Sequence, residues 1–414
     1  MTSVATSSKP GQRTGTCSSS AGSRIRAHST AAAAAAYILK QAKNIPVRRL
    51  YLGFHLICPL VLLGTSSLLA EPARLDRQNL LQYRGADGEV RPVTTSEEWK
   101  QRRAEIVRGM ESVMGKFPDA DRRVDLQLRV ETETDVGTYV RQLITYQSDL
   151  GSRTPAYLCI PRAVADGAGQ AAAVLCLHPT DNTVGHKVVV GLSDKRNRSY
   201  AAELAERGYV TLSPAYPHLA NYWPNLSALG YASGTMKAIW DNSRGLDLLA
   251  SLPYVDDSRG FAAVGHSLGG HNAIFTAVFD QRISVLASSC GFDSFSDYFG
   301  GNVDRWYFGR GWCQILYMPR LSDYRGRLDQ IPFDFPELLA ALAPRALFVN
   351  APLGDSNFVW QSVDECAAAA RPVFELLGAA EHLIIRHPDS KHDFVEPMRQ
   401  EAYEMIDAVL RPRE

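Results

Sequence analysis

The sequence carries no net charge, 44 basic side chains balancing 44 acidic ones over 414 residues. With no basic surplus to meet a phosphate backbone, nucleic acid is set aside as a partner. Cysteine is sparse, at positions 17, 58, 159, 176, 290, 313 and 366, and no two stand in a C-x-x-C spacing. That removes the thiolate pattern of zinc sites and of thioredoxin-like redox chemistry. Cys159 and Cys176 lie in apolar, strand-like runs and read as buried thiols, while a disulfide among the later cysteines stays open. Internal repeats are absent. What is abundant is apolar surface: 45% of residues are hydrophobic, enough for a substantial core.

Residues 1–49 are rich in Ser, Thr, Gly and Ala, include an unbroken alanine run at 31–36, and show no amphipathic period. They read as a disordered polar leader. Residues 50–70 contain no Asp, Glu, Lys or Arg and follow a basic patch at Lys40, Lys43, Arg48 and Arg49. That layout marks an export signal, with Thr65 and Ser67 suited to cleavage after Ser67, or a retained anchor, since the stretch is long enough to span a bilayer. An exported (periplasmic or secreted) or membrane-anchored protein follows, with a catalytic domain over 71–414.

Within that domain an N-capped helix is expected from Ser96 to Met114, then strands at 124–130 and 138–146 forming an antiparallel pair. Strands and helices then alternate. Strands are read at 171–177, 209–213, 260–265, 283–289, 346–351 and 382–386, and helices at 200–207, 233–252, 269–279, 367–377 and 396–410. This order predicts an α/β fold: a mostly parallel, doubly wound sheet with antiparallel first strands. The rhythm breaks at 293–338, an aromatic and glycine-rich segment expected to form a cap over the sheet's carboxyl edge. Its Trp306, Tyr307, Trp312 and Tyr317 suit a pocket wall, a sugar platform or the cap's own small core.

Gly265-His266-Ser267-Leu268-Gly269 has the G-x-S-x-G pattern and falls between the strand at 260–265 and a helix. A sharp turn there exposes the serine hydroxyl, and flanking glycines avoid collisions with the neighbouring strand and helix. A hydroxyl needs a base, and the base an orienting acid. His392, after the last strand and before the last helix, is the expected base, with His387 as rival on the same loop. Asp355, after the strand at 346–351, is the expected acid and Asp293, after the preceding strand, the alternative. Oxyanion donors would be the amides of Leu268 and Thr180, Pro179 having no N–H.

The elbow at 265–270, the Leu177-His178-Pro179-Thr180 strand end, the Asp355 loop and Lys391-His392-Asp393-Phe394 resemble the dienelactone-hydrolase and acetyl-xylan-esterase branch of the α/β-hydrolase superfamily. The resemblance covers roughly 75–412. It implies a cofactor-independent serine esterase without a metal, acting on a small-molecule or carbohydrate ester. Serine stands where dienelactone hydrolases use cysteine, which points to ordinary ester hydrolysis. Two other readings compete: a serine peptidase of the prolyl-oligopeptidase type, for whose propeller the chain has no segment, and a catalytically silent binding protein. A chain truncated to begin near Glu71 is expected to stay soluble and active; aggregation of that chain alone would place the 50–70 stretch in the core.

Overall fold

The computed structural model describes residues 74–411, so the leader at 1–49, the apolar stretch at 50–70, Cys17 and Cys58 lie outside the described residues. A small hairpin, β1 (Gln82–Arg84) and β2 (Val90–Pro92), precedes helix α1 (Ser96–Met114). Thr95, rather than Ser96, caps α1, because Glu98 lies three residues beyond it and completes a reciprocal capping box.

The main sheet is built from β3 (Arg129–Asp135), β4 (Tyr139–Asp149), β5 (Ser152–Pro161), β6 (Ala171–Leu177), β7 (Val210–Pro214), β9 (Phe261–His266), β10 (Ile283–Ser289), β11 (Ala346–Asn350) and β12 (Leu383–Arg386). Its order is β12-β11-β10-β9-β6-β7-β5-β4-β3, with the two-residue β8 (Val255–Asp256) pairing β6. Strands β12 through β7 run parallel and β7-β5-β4-β3 antiparallel. Ala171–Leu177 and Phe261–His266 are buried throughout, as continuous apolar strands covered on both faces require.

One face packs α1, α3 (Gly234–Ser251), α4 (Leu268–Phe279), α5 (Phe335–Leu342) and α6 (Trp360–Leu376). The other packs α2 (Tyr200–Glu206) and α7 (Glu396–Leu410). Register decides what meets at the carboxyl edge. Gly265 pairs with Leu177, His266 with Ser289, Ser289 with Asn350, and Asn350 with Arg386. The loops that follow these strands therefore leave the sheet side by side.

Two sequence expectations shift. The first antiparallel strand pairs at Arg129–Asp135, not at 124–130, because Gln127 takes a left-handed φ of 42° that breaks the extended run. The strand that follows is exposed along its whole length and polar but for Val130, a charged edge with no apolar alternation to reveal it. Helix α6 starts at Trp360, well before 367, with no side-chain cap to announce it. The 293–338 segment is a succession of short 3₁₀ turns that leads into α5, with Trp306, Met318, Leu321, Ile331 and Phe333 buried. Arg77 bonds Asp334, and Arg74 pairs with Glu337, tying residues 74–77 to this segment. Among the described residues no helix is long and apolar enough to cross a membrane.

Sequence patterning gives no hint of one buried charge cluster. Lys237 on α3 is fully buried and reaches Asp149 (3.0 Å), Ser148 (3.0 Å) and Asp241. Burial alone would lower its pKa, yet the Asp241 and Asp149 carboxylates hold it above the usual lysine value. Tyr231 and Arg122 also donate to Asp149, and Tyr222 donates to Asp241. Lys237→Met would leave the buried Asp241 without its cation and Asp149 with Arg122 alone, and is expected to cost about 3–5 kcal/mol, read as a lower denaturant midpoint.

Candidate active site

At the end of β9 the backbone of Ser267 turns through φ 55° and ψ −123°, a left-handed conformation that non-glycine residues rarely adopt. Two hydrogen bonds hold it there: Ser267 N–H donates to the Ser289 carbonyl (2.7 Å), and His271 N–H donates to the Ser267 carbonyl (3.0 Å). The flanking glycines are required by space. A Cβ at Gly265 would strike the backbone of Gly269, and one at Gly269 would strike the carbonyl oxygen of Leu177. Ser267 itself is partly exposed. Leu268 opens α4, so its N–H is among those a helix start leaves without an internal partner.

His392 Nδ1 lies 2.9 Å from each carboxylate oxygen of Asp355. The Asp355 side chain is 2% exposed and that of His392 21%. Burial pushes the Asp355 carboxyl upward, but the His392 bond and the N–H groups of Asn357 (2.8 Å) and Phe358 (3.3 Å) win, holding it below the ordinary carboxylate value. The ring of His266, the residue before Ser267, lies 4.8 Å from the His392 ring, which sets the imidazole against the elbow. No hydrogen bond joins Ser267 to His392 in this arrangement, a looseness common before substrate binds.

The other candidates sit apart. His387 spends Nδ1 on the Ala351 carbonyl (2.7 Å) and Nε2 on Asp364 (2.9 Å). Asp293 is 2% exposed, accepts the Val359 N–H (3.1 Å) through one oxygen, and has no partner for the other among the described residues. Burial drives its carboxyl up to about 8, with Asp297 and Asp334 adding to the rise. Thr180 is exposed and its hydroxyl meets that of Tyr317 (3.1 Å). Its loop is pinned by His178, whose Nδ1 faces the Pro179 carbonyl (2.8 Å) and whose Nε2 accepts the Tyr216 N–H (3.0 Å). Burial holds His178 down to about 4, so it is the neutral tautomer that Tyr216 needs.

Several supports had no signal in the sequence. Asn197 and Arg198 bond Asp393, Arg198 also reaches the His392 carbonyl (3.3 Å), and Asn350 bonds the Asp393 carbonyl (2.9 Å). Together they brace the loop that carries the histidine. Trp312 stacks on His271 (4.3 Å, 16°) and faces Phe358 (6.4 Å), which in turn lies 6.0 Å from His392. The aromatic segment is thus packed, with Phe358 standing between Trp312 and the imidazole. Cys290, Asp355 and His392 place ligand atoms within 4.8 Å of one another, the one such cluster among the described residues. Burial and the Asp355 charge keep the Cys290 thiol protonated, unlike a thiolate ligand. Cysteines 159, 176, 290, 313 and 366 are all free and buried.

A family model described as "Glucuronyl esterase, fungi" matches residues 223–378, which include Ser267, Asp293 and Asp355 but not His392 or Thr180. The 4-O-methyl-glucuronoyl methylesterase of Hypocrea jecorina is 28% identical over 184 residues, 38% of this chain and 36% of that protein. A Sodiomyces alcalophilus protein of the same description is 27% identical over 175 residues, 38% and 34% of the two chains. The chain thus matches little more than a third of the length of these curated relatives. Among solved structures, a glucuronoyl esterase from Solibacter usitatus superposes with a TM-score of 0.62 at 21% identity, covering 82% of this chain and 99% of that one. One from Caldicellulosiruptor kristjansonii, of carbohydrate esterase family 15, gives 0.60 at 20% identity, covering 81% and 91%. The chain has the α/β-hydrolase fold. The resemblance read from the elbow and the late histidine loop is borne out at that level, with glucuronoyl esterases as the relatives found.

For Asp293 the folded-state pKa lies above the unfolded one, so the stability it contributes is present below about pH 4 and is lost as pH rises through about 8. Asp293→Asn mimics the protonated form. Its thermal midpoint is expected to rise above wild type by a few degrees (~3 °C) as pH goes from about 5 to about 8. A gap independent of pH would mean that the carboxyl is ionised throughout.

Proposed function

We propose that this protein is a serine hydrolase that cleaves carboxylic esters carried on carbohydrate, through an acyl-enzyme and without a cofactor. One observation carries the reading: a buried, anionic Asp355 grips Nδ1 of His392 with both oxygens, beside a strained elbow serine. In that arrangement Nε2 of His392 is left to take the Ser267 proton as Oγ attacks the ester carbonyl. Asp355 fixes the tautomer and stabilises the imidazolium. The N–H groups of Leu268 and Thr180 donate to the oxyanion. The imidazolium then protonates the departing alcohol. Water attacks the acyl-enzyme with His392 again as base, releasing the acid and restoring Ser267.

Asp293 is a poor substitute for Asp355, because a carboxyl held protonated up to about 8 offers an imidazolium no charge near neutrality. The carbohydrate side of the proposal rests on relatives described as 4-O-methyl-glucuronoyl methylesterases, proteins that by their description act on a methyl ester of a sugar acid. The segment 293–338 serves as the cap in this reading, supported by Trp312 stacking on His271 and by the Tyr317 hydroxyl meeting that of Thr180. The domain spans 71–414, and the basic patch with the uncharged 50–70 stretch supports export or anchoring.

Ser267→Ala is expected to abolish labelling by a fluorophosphonate probe and to lower turnover by roughly 10³-fold or more. Asp355→Asn is expected to cost on the order of 10⁴ in kcat with labelling slowed, and Asp293→Asn far less. Equal labelling of Ser267→Ala and wild type would end the mechanism, and the reverse ranking of the two aspartates would move the acid to Asp293.

A further inference from the structure

The loop from β7 to α3, residues 215–232, leaves the carboxyl edge beside β6, whose own following loop holds His178 and Thr180. Its start is fixed twice: Tyr216 N–H donates to His178, and the Tyr216 hydroxyl donates to the Leu316 carbonyl (2.9 Å) in the 293–338 segment. Its middle folds back on itself, with His218 N–H donating to the Tyr222 carbonyl (2.8 Å) and Tyr222 N–H to the Leu219 carbonyl (3.1 Å). Leu219 and Tyr222 are buried, and Tyr222 is anchored to Asp241 in the Lys237 cluster. His218 (φ 62°) and Ala220 (φ 49°) both take left-handed backbone, a costly conformation for side-chain-bearing residues.

On this rigid, strained loop Trp223 is 66% exposed. Its indole N–H is already used, donating to the Ala220 carbonyl (2.8 Å). The His218 ring packs against it (5.2 Å, 54°) and is itself held by the Pro224 carbonyl (3.1 Å). The orientation of the indole is therefore set from within the loop, and what remains toward water is aromatic surface with no free donor. Such a surface selects by its quadrupole, whose negative face attracts a sheet of slightly positive C–H groups. A pyranose ring presents one.

We propose that Trp223 is a sugar-stacking platform on the rim of the active-site edge, binding a pyranose ring of the carbohydrate that carries the ester. This rests on the carbohydrate-ester reading and extends it to a subsite. Two measurements separate the claims. In the first, wild type, Trp223→Ala and Trp223→Phe are compared on 4-nitrophenyl acetate and on acetylated or methyl-esterified oligosaccharides. The ratio of kcat/KM for the oligosaccharide ester to that for the small ester is expected to fall about five- to tenfold in Trp223→Ala, through KM, and to recover in Trp223→Phe. An unchanged ratio overturns the platform.

In the second, Ser267→Ala protein is titrated calorimetrically with xylohexaose, cellohexaose and hexagalacturonate. Saturable binding of at least one, lost in Ser267→Ala/Trp223→Ala, supports the platform even if no ester is turned over, in which case only the hydrolase reading fails. Binding of none, or binding indifferent to Trp223, overturns the platform while leaving ester hydrolysis standing.

Discussion

The approach of α4 to the end of β6 leaves no room for a Cβ at Gly269, because the carbonyl oxygen of Leu177 occupies that space. A Cβ at Gly270 would meet Ser288 and Ser289, and one at Gly265 would meet Gly269. Helix α4 is thus wedged between two strand ends, and the residue that joins strand to helix must make the turn within a single left-handed step. Ser267 makes it. The hydroxyl stands clear of the sheet because the backbone beneath it is so tightly packed, and the amide at the start of α4 is freed by the same geometry. Without the glycines the helix would move outward and take both groups with it.

Register extends that constraint sideways. Since Leu177, Gly265, Ser288 and Ser289, Asn350 and Arg386 lie level across neighbouring parallel strands, the loops after them begin at one height. Asp355 and His392 come from adjacent strands and need only short loops to meet. The bracing is shared too: Asn350 donates to the Asp393 carbonyl and to Ser289, whose hydroxyl bonds His266. The elbow, β11 and the His392 loop form one hydrogen-bonded unit, so displacement of any member is felt by the others.

What the sequence disclosed follows the strength of each local signal. The parallel strands Ala171–Leu177, a continuous apolar run, and Ile283–Ser289, apolar through its middle, were legible to the residue. The elbow was legible because G-x-S-x-G combines residue identity with a strand-to-helix context. The β3 edge was not, since its Arg129–Asp135 run has no buried face, and a backbone kink at Gln127 displaced the register. Helix α6 lacked a capping side chain, and the turns of 293–338 follow no periodicity. Among the site's neighbours, Arg198 and Asn197 are polar residues in a loop far from 392 in sequence, and nothing local foretells that they clamp Asp393. Strand order alone allows either aspartate, and the tight turn of Gly354, Ser356 and Asn357 favoured Asp355 in the sequence, but their difference in solvation had no sequence signal. One is buried with a histidine and two amides to hold its charge, the other with a single amide.

Left-handed backbone in residues that carry side chains costs on the order of 1–3 kcal/mol each, and its distribution is uneven. Among the described residues it occurs at Gln127, Asn197, His218, Ala220, Ser267, Cys290 and Phe299. Ser267 and Cys290 directly follow β9 and β10, His218 and Ala220 belong to the loop after β7, Asn197 bonds the histidine loop, and Phe299 lies in the aromatic segment. Only Gln127 is remote from this edge, at the approach to the exposed strand β3. A fold indifferent to what happens at its carboxyl edge would relax such positions to glycine or to ordinary turns. Here they are retained against a core of buried parallel strands rigid enough to hold them. The strain aims the Ser267 hydroxyl and sets the Asn197 amide on Asp393. At His218 and Ala220 it leaves an indole facing water, which is the outcome least explained by folding alone and best explained by a ligand.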